Sequence, residues 1–251
     1  MWRNPRDHVS AVKEADRCVV LPCGGEGQRL ELPYPKELHV VLPGKSLIDF
    51  TLERLANLTR PFCVVVILSS GKDAIRRHLE RRWPHLDVRY VLQSEPGFVG
   101  ALWATVPELR TSNLLLLPDQ WLEEEGALEA AFALLENGAS TAVLSHQPRD
   151  RSSIADDGAL RVEEGCVLAM EEKPGPVRAQ EFNAIWCGIG FQGRVAPELF
   201  RSLGALCAKG AYSPEEWLAS PLYRAPALTV RDYIDLGVWK RLVAFQKRSL
   251  K

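Results

Sequence analysis

Net charge is almost absent from this 251-residue chain: 31 lysines and arginines stand against 32 aspartates and glutamates, leaving a formal charge of -1. A surface so balanced gives no electrostatic reason to bind nucleic acid or an anionic membrane, and neither is expected as a partner. Long hydrophobic runs are missing too. No apolar stretch approaches the roughly 18 residues a membrane-spanning helix needs, and residues 1–16 lack the apolar segment of a signal peptide. The six cysteines (Cys18, Cys23, Cys63, Cys166, Cys187, Cys207) form no C-x-x-C pair and mostly sit in apolar runs, so neither a disulfide framework nor a zinc site is indicated. Internal repeats and low-complexity tracts are also lacking. These absences predict a soluble, cytoplasmic protein, with room left for a homo-oligomer, and a length close to the ~250 residues at which single cores stop growing predicts one domain.

What is present is an alternation of short apolar runs with longer amphipathic segments. Strands are expected over 18–21, 62–68, 88–92, 113–117 and 141–144, and helices over 46–58, 72–83 and 127–137. Strand-then-helix order of this kind predicts an α/β fold: a single Rossmann-like three-layer α/β/α domain whose sheet is mixed but mostly parallel. After Gln147 the texture turns polar and turn-rich. A hairpin is expected over 160–163 and 166–171 around Glu164-Gly165, then a strand over 184–191, helices near 196–203 and 214–218, a strand over 228–230 and a last helix over 238–247. Residues 17–147 and 148–251 read as two halves of one domain, the second, small and β-rich, supplying a lid or acceptor-binding subdomain.

The most informative segment follows the first strand: Gly24-Gly25-Glu26-Gly27-Gln28-Arg29, then Pro35-Lys36-Glu37-Leu38. Three glycines within four positions can expose successive backbone N–H groups around a phosphate, because glycine accepts both the positive φ and the close approach this demands. Arg29 suits bidentate phosphate clamping, and Lys36 supplies a point charge. Two commoner phosphate loops fail here: a dinucleotide fingerprint from Gly25 needs glycine where Leu30 stands, and a Walker loop ending at Gly44-Lys45-Ser46 needs glycine where His39 stands.

With those residues in place, the segment resembles the signature of the nucleotidyltransferase family, the sugar-1-phosphate nucleotidyltransferases, which reads roughly G-x-G-x-R, a short insert, then P-K-x-L. The resemblance implies a metal-dependent enzyme of nucleotide-diphospho-sugar transferase fold. Such an enzyme joins the NMP of an NTP to a sugar 1-phosphate or similar phosphorylated acceptor and releases pyrophosphate. The insert between Arg29 and Lys36 is shorter than in many hexose-1-phosphate enzymes and closer to that of methylerythritol-phosphate cytidylyltransferases. A cytidylyltransferase acting on a non-sugar alcohol phosphate or phosphonate therefore stays open as an alternative. Outside catalysis, an inactive nucleotide or sugar-phosphate binding protein also stays open.

Downstream, the apolar run 114–117 ends at Pro118-Asp119-Gln120, which places Asp119 at a strand's carboxyl end, where open α/β sheets bind ligands. Mg²⁺ takes one or two protein carboxylates, so Asp119 and Asp235, in Tyr233-Ile234-Asp235-Leu236-Gly237, are the candidate ligands. Both match the family's metal aspartates, although Val238-Trp239 replaces the usual Thr-Pro after the glycine. Gln93 and Gly97, in Gln93-Ser94-Glu95-Pro96-Gly97, resemble the family's base-binding segment, and a glutamine amide can both donate to and accept from a base edge. Nucleotide contacts are thus expected from Leu21, Gly24, Gly25, Gly27, Gln93 and Gly97, with catalytic cations at Arg29, Lys36 and Lys173. The stretch Glu171-Glu172-Lys173-Pro174 resembles the family's E-K-P motif, in which the glutamate binds acceptor hydroxyls and the lysine the acceptor phosphate. By the same resemblance Asn183 and Gly188 join Glu172 in lining the acceptor pocket.

Overall fold

Each apolar run read as a strand is one, within a residue or two, in the computed structural model, which describes residues 15–25, 27 and 29–249. The expected absence of a leader in residues 1–16, apart from its last two positions, and the amide of Glu26 in the phosphate loop lie outside the described residues. In chain order the elements are β1 (Arg17–Pro22), β2 (Val40–Leu42), β3 (Lys45–Ser46), α1 (Leu47–Leu55), β4 (Cys63–Leu68), α2 (Asp73–Arg82), β5 (Val88–Leu92), α3 (Gly97–Ala104), β6 (Ser112–Leu116), β7 (Gln120–Glu123), α4 (Ala127–Glu136) and β8 (Thr141–His146). The second half adds β9 (Gly158–Glu163), β10 (Cys166–Glu172), α5 (Gly175–Arg178), β11 (Ala184–Gln192), α6 (Ala196–Lys209), α7 (Pro214–Ala219), β12 (Ala227–Thr229), β13 (Asp232–Asp235) and α8 (Trp239–Ser249).

β1 sits mid-sheet, parallel to both β4 and β6, with Val20 level with Val65 on one side and Leu115 on the other. The main sheet runs β10-β9-β11-β6-β1-β4-β5, with β8 beside β11 and β12 beside β8. β11 is antiparallel to β6, β8 and β9, which makes the sheet mixed. Alternation along β1 builds three layers: Cys18 and Val20 face Leu102 of α3 and Phe200 and Leu203 of α6, while Val19 and Leu21 face Ile48, Leu52, Ile75, Leu79 and Phe132 of α1, α2 and α4.

Local chemistry explains the element boundaries. Ser46 opens α1 as expected, its N–H and hydroxyl both donating to Asp49 Oδ2, at 2.8 and 2.7 Å. The β9–β10 hairpin turns through Glu164 and Gly165, both at positive φ (50° and 73°), the conformation a two-residue turn needs to match strand twist. Several elements escaped the sequence reading, among them α3, β7 and β13. α3 has apolar residues and glycine all round and therefore no helical stripe to detect. β7 and β13 pair only with each other, antiparallel, with Asp235 opposite Gln120. Among the described residues, no helix is long and apolar enough to cross a membrane.

Candidate active site

The carboxyl ends of the parallel strands β1, β4, β5 and β6 open on one cleft of about 940 Å³. After β1, Cys23 N–H donates to Ile67 O (2.9 Å), extending the ladder by one residue before the chain peels off into the glycines. A Cβ on Gly24 would lie 2.2 Å from Gln93 Oε1, so only glycine lets the Gln93 amide lie over the loop. Gly27 has φ +71°, and a Cβ there would lie 3.4 to 3.6 Å from the aliphatic stem of Lys36. Pro35 leads into a single 3₁₀ turn (Lys36–Leu38) that aims Lys36 back at the glycines.

Lys36 Nζ donates to Asp119 Oδ2 at 2.6 Å, and Arg29 Nη1 to Asp235 Oδ2 at 2.9 Å. The two pairs interlock, since Arg29 Nη2 also lies 3.7 Å from Asp119 Oδ2. The β7–β13 ladder makes this convergence possible: Leu236 N–H donates to Asp119 O (2.9 Å), holding the two aspartates side by side although 116 residues separate them in sequence. Gly237 completes the arrangement. A Cβ there would fall 2.5 Å from Asp119 Oδ2 and 2.9 Å from both Asp235 Oδ1 and Arg29 Nη2. Burial draws the Lys36 pKa down, but the Asp119 carboxylate outweighs it, so the net displacement from 10.5 is upward and the side chain is a firm cation.

The profile of the family described as "Nucleotidyl transferase" matches residues 18–196. The chain belongs to the nucleotidyl transferase family. It is 28% identical over 210 residues to the bifunctional protein GlmU of Azorhizobium caulinodans, an alignment covering 80% of this chain and 45% of that protein. It spans less than half the length of the curated relatives it matches. In fold it is similar to a UTP-bound UGPase from Acinetobacter baumannii, with a TM-score of 0.72, 16% identity and 93% of each chain covered. It is equally similar to a UDP-glucose pyrophosphorylase complexed with UDP-glucose (TM-score 0.72, 16% identity, 93% of this chain and 98% of that one).

Within this family member the cleft is lined by Gly24, Gly25, Gly27, Arg29, Lys36, Gln93, Gly97 and Asp119 together, and Asp235 joins them through Arg29. Gly97 starts α3 at φ +85°, a conformation that itself calls for glycine. Leu21 is wholly buried in the core beneath the loop and does not line the cleft. The expected acceptor residues do not line it either. Lys173 stands at φ +51° with its side chain 60% exposed, near Glu172 (3.6 Å). Both ends of the Asn183 amide are engaged by the backbone of Val162, at 2.9 and 2.8 Å, which ties β11 to β9. Gly188 lies mid-sheet, where a Cβ would press on Leu116 and Leu144 at 2.7 and 3.0 Å.

Several groups at the site carry no motif. Asp157 forms a two-pronged pair with Arg241 of α8 (2.8 and 2.9 Å), and Arg241 lies 3.7 Å from Asp235. Burial pushes the Asp157 carboxyl up, and Arg241 pulls against it. Lys173 N–H donates to Asp157 O (3.1 Å), so the E-K-P turn is linked to the aspartate pair through Asp157 and Arg241. Lys72 and Glu37 lie beneath the glycine loop. Lys72 follows a strand end just as Asp119 does, and applying the same rule to β4 would have singled it out.

Proposed function

We propose that the protein transfers NMP from an NTP to a sugar 1-phosphate, forming an NDP-sugar and pyrophosphate. The observation that carries this reading is the placement of Arg29 and Lys36 at the glycine loop, each held by an aspartate in one cleft. Residues 17–147 then bind the nucleotide and residues 148–251 the acceptor. An acceptor phosphate oxygen attacks the α-phosphorus, the new P–O bond forms, and the bond to the bridging oxygen breaks with its electron pair leaving on pyrophosphate. An ionised phosphate is already nucleophilic, so no general base is needed. The chain's contribution is alignment and charge: glycine-loop amides and Arg29 hold the triphosphate, Lys36 follows the charge developing at phosphorus, and Lys173 steers the acceptor phosphate. Gln93 reads the base edge, with Gly97 allowing close approach, and Glu172 meets acceptor hydroxyls.

The donor set suits magnesium. Asp119 and Asp235 are hard oxygen ligands facing one point beside Gly237, and no third His, Cys, Asp or Glu clusters with them among the described residues, which leaves coordination sites for phosphate and water oxygens. Bound there, Mg²⁺ would supply charge neutralisation on the phosphates. Pyrophosphate release, measured for each of the four common NTPs against a panel of hexose 1-phosphates and alcohol phosphates, tests the proposal. Release with a hexose 1-phosphate supports it; release with alcohol phosphates alone would move the acceptor class, and none with any pair would end the enzymatic reading.

A further inference from the structure

Behind the phosphate loop lies a buried lysine that the mechanism above does not use. Lys72 follows Gly71 (φ +84°) in the turn from β4 to α2; Ser69 and Ser70 of that turn line the cleft, whereas Lys72 is 9% exposed and does not. Its ammonium donates to Cys23 O at 2.6 Å, to Gly25 O, and to the carboxylate of the fully buried Glu37 at 3.2 Å. An ammonium has three N–H donors, and these acceptors use all three, leaving none for a ligand.

The acceptors come from the two pieces that must act together. Cys23 and Gly25 belong to the glycine loop, and Glu37 adjoins Lys36 in its 3₁₀ turn. A trans peptide carries its C=O and N–H on opposite edges of one plane, so holding Cys23 O inward turns the Gly24 N–H toward the opposite, cleft side. Glycine-rich backbone has little preference of its own for such an orientation, so an external tether is needed to fix it.

We infer that Lys72, with Glu37 as its counter-ion, is a positioning residue that sets the phosphate loop and the Lys36 turn in one fixed relation. It thereby governs triphosphate affinity and alignment without touching substrate. The inference rests on the nucleotidyl-transfer reading of the cleft for its kinetic consequence, though not for its structural one.

The test uses the full chain, with Lys72→Met and the double variant Lys72→Met/Glu37→Gln. The double variant leaves no uncompensated buried charge and folds even where the single one does not. Hydrogen exchange is followed in the peptide covering residues 21–30, and affinity is measured with inorganic tripolyphosphate. Loop exchange should quicken by about tenfold while β4 and β6 keep their protection. Tripolyphosphate affinity and kcat/KM for the NTP should each fall about tenfold or more, with KM for the acceptor unchanged. Glu37→Gln alone retains both carbonyl contacts, though not the counter-ion, and should accelerate loop exchange less than Lys72→Met does. A folded double variant with wild-type loop exchange and tripolyphosphate binding would overturn the inference, as would equal loop acceleration by Glu37→Gln and Lys72→Met. Wild-type protein that binds tripolyphosphate but releases no pyrophosphate with any pair would remove the nucleotidyl-transfer reading, and the exchange result would still decide the role of Lys72.

Discussion

The two ends of the molecule that the sequence motifs point to are built differently. At the carboxyl ends of β1, β4, β5 and β6, charged side chains hold one another: Lys36 and Asp119 are 17% and 6% exposed and 2.6 Å apart, and Arg29 bridges to Asp235. Along β9 to β11, by contrast, Asn183 is spent on the backbone of Val162, Gly188 is filled by leucines, and Lys173 stands in solvent. The first region is a preassembled cluster of two cations and two carboxylates that hold one another. The second is sheet scaffolding with Lys173 exposed at its rim. Paired charges hold one another in place, whereas an exposed lysine at a strand end keeps its rotamer freedom.

The contrast breaks most sharply at Lys36. Lys36→Ala should lower turnover by at least about 100-fold in a variant that remains folded, because in the proposed mechanism the charge that follows the reacting phosphorus is lost. Near-normal turnover in the folded variant would take Lys36 out of the mechanism. Next in size is the aspartate pair. Asp119→Asn should cost about 100-fold, and chelation with EDTA should abolish wild-type turnover reversibly, with Mg²⁺ restoring it. Activity that survives exhaustive chelation would show that the two carboxylates serve only to hold Lys36 and Arg29.

The same contrast explains what could be read from sequence. The glycine loop at the cleft was legible because glycine spacing, a nearby arginine and Pro35-Lys36 are local, and Asp119 because an apolar run stops at it. The strands were legible because a buried parallel strand is a continuous apolar run, as in Cys63–Leu68. The convergence of Asp235 on Asp119 was not derivable from spacing, since it depends on β7 pairing with β13, two four-residue strands far apart in the chain. Glu37, Asp157 and Arg241 were missed for a related reason: their partners lie 35 or more positions away, and no short pattern records such a contact. Asn183 and Gly188 occupy the positions the family resemblance marked. Their surroundings, a strand edge to be capped and a crowded mid-sheet, follow from packing that a motif does not encode.

Smaller effects sharpen the comparison. Gly237→Ala places a methyl 2.5 Å from Asp119 Oδ2, so the aspartate pair must open; kcat/KM should fall about tenfold with the fold retained. Unchanged kinetics would mean that the pair tolerates displacement and is not geometrically demanding. Between β9 and β11, Asn183→Ala should do the opposite, costing about 1–3 kcal/mol in urea unfolding because Val162 loses both partners, while KM for the acceptor holds. A raised acceptor KM at unchanged stability would make Asn183 a ligand after all and erase the distinction drawn between the two ends.

The smallest effect expected is a flat line. The Lys36 ammonium has its pKa raised above 10.5 by Asp119 despite burial. A group raised in the folded state contributes stability that is complete below its unfolded pKa and disappears only as pH climbs through the folded one. Between pH 7 and about 10, then, neither stability nor kcat/KM should change through this side chain, since it remains charged throughout. The check is a pH profile of kcat/KM for wild type beside Lys36→Arg, whose guanidinium cannot titrate in this range. An alkaline limb near about pH 8 in wild type that is absent from Lys36→Arg would show a lysine losing its proton far too early. Asp119 would then not be its partner in the working enzyme, and the preassembled cluster would be a feature of the ligand-free cleft alone.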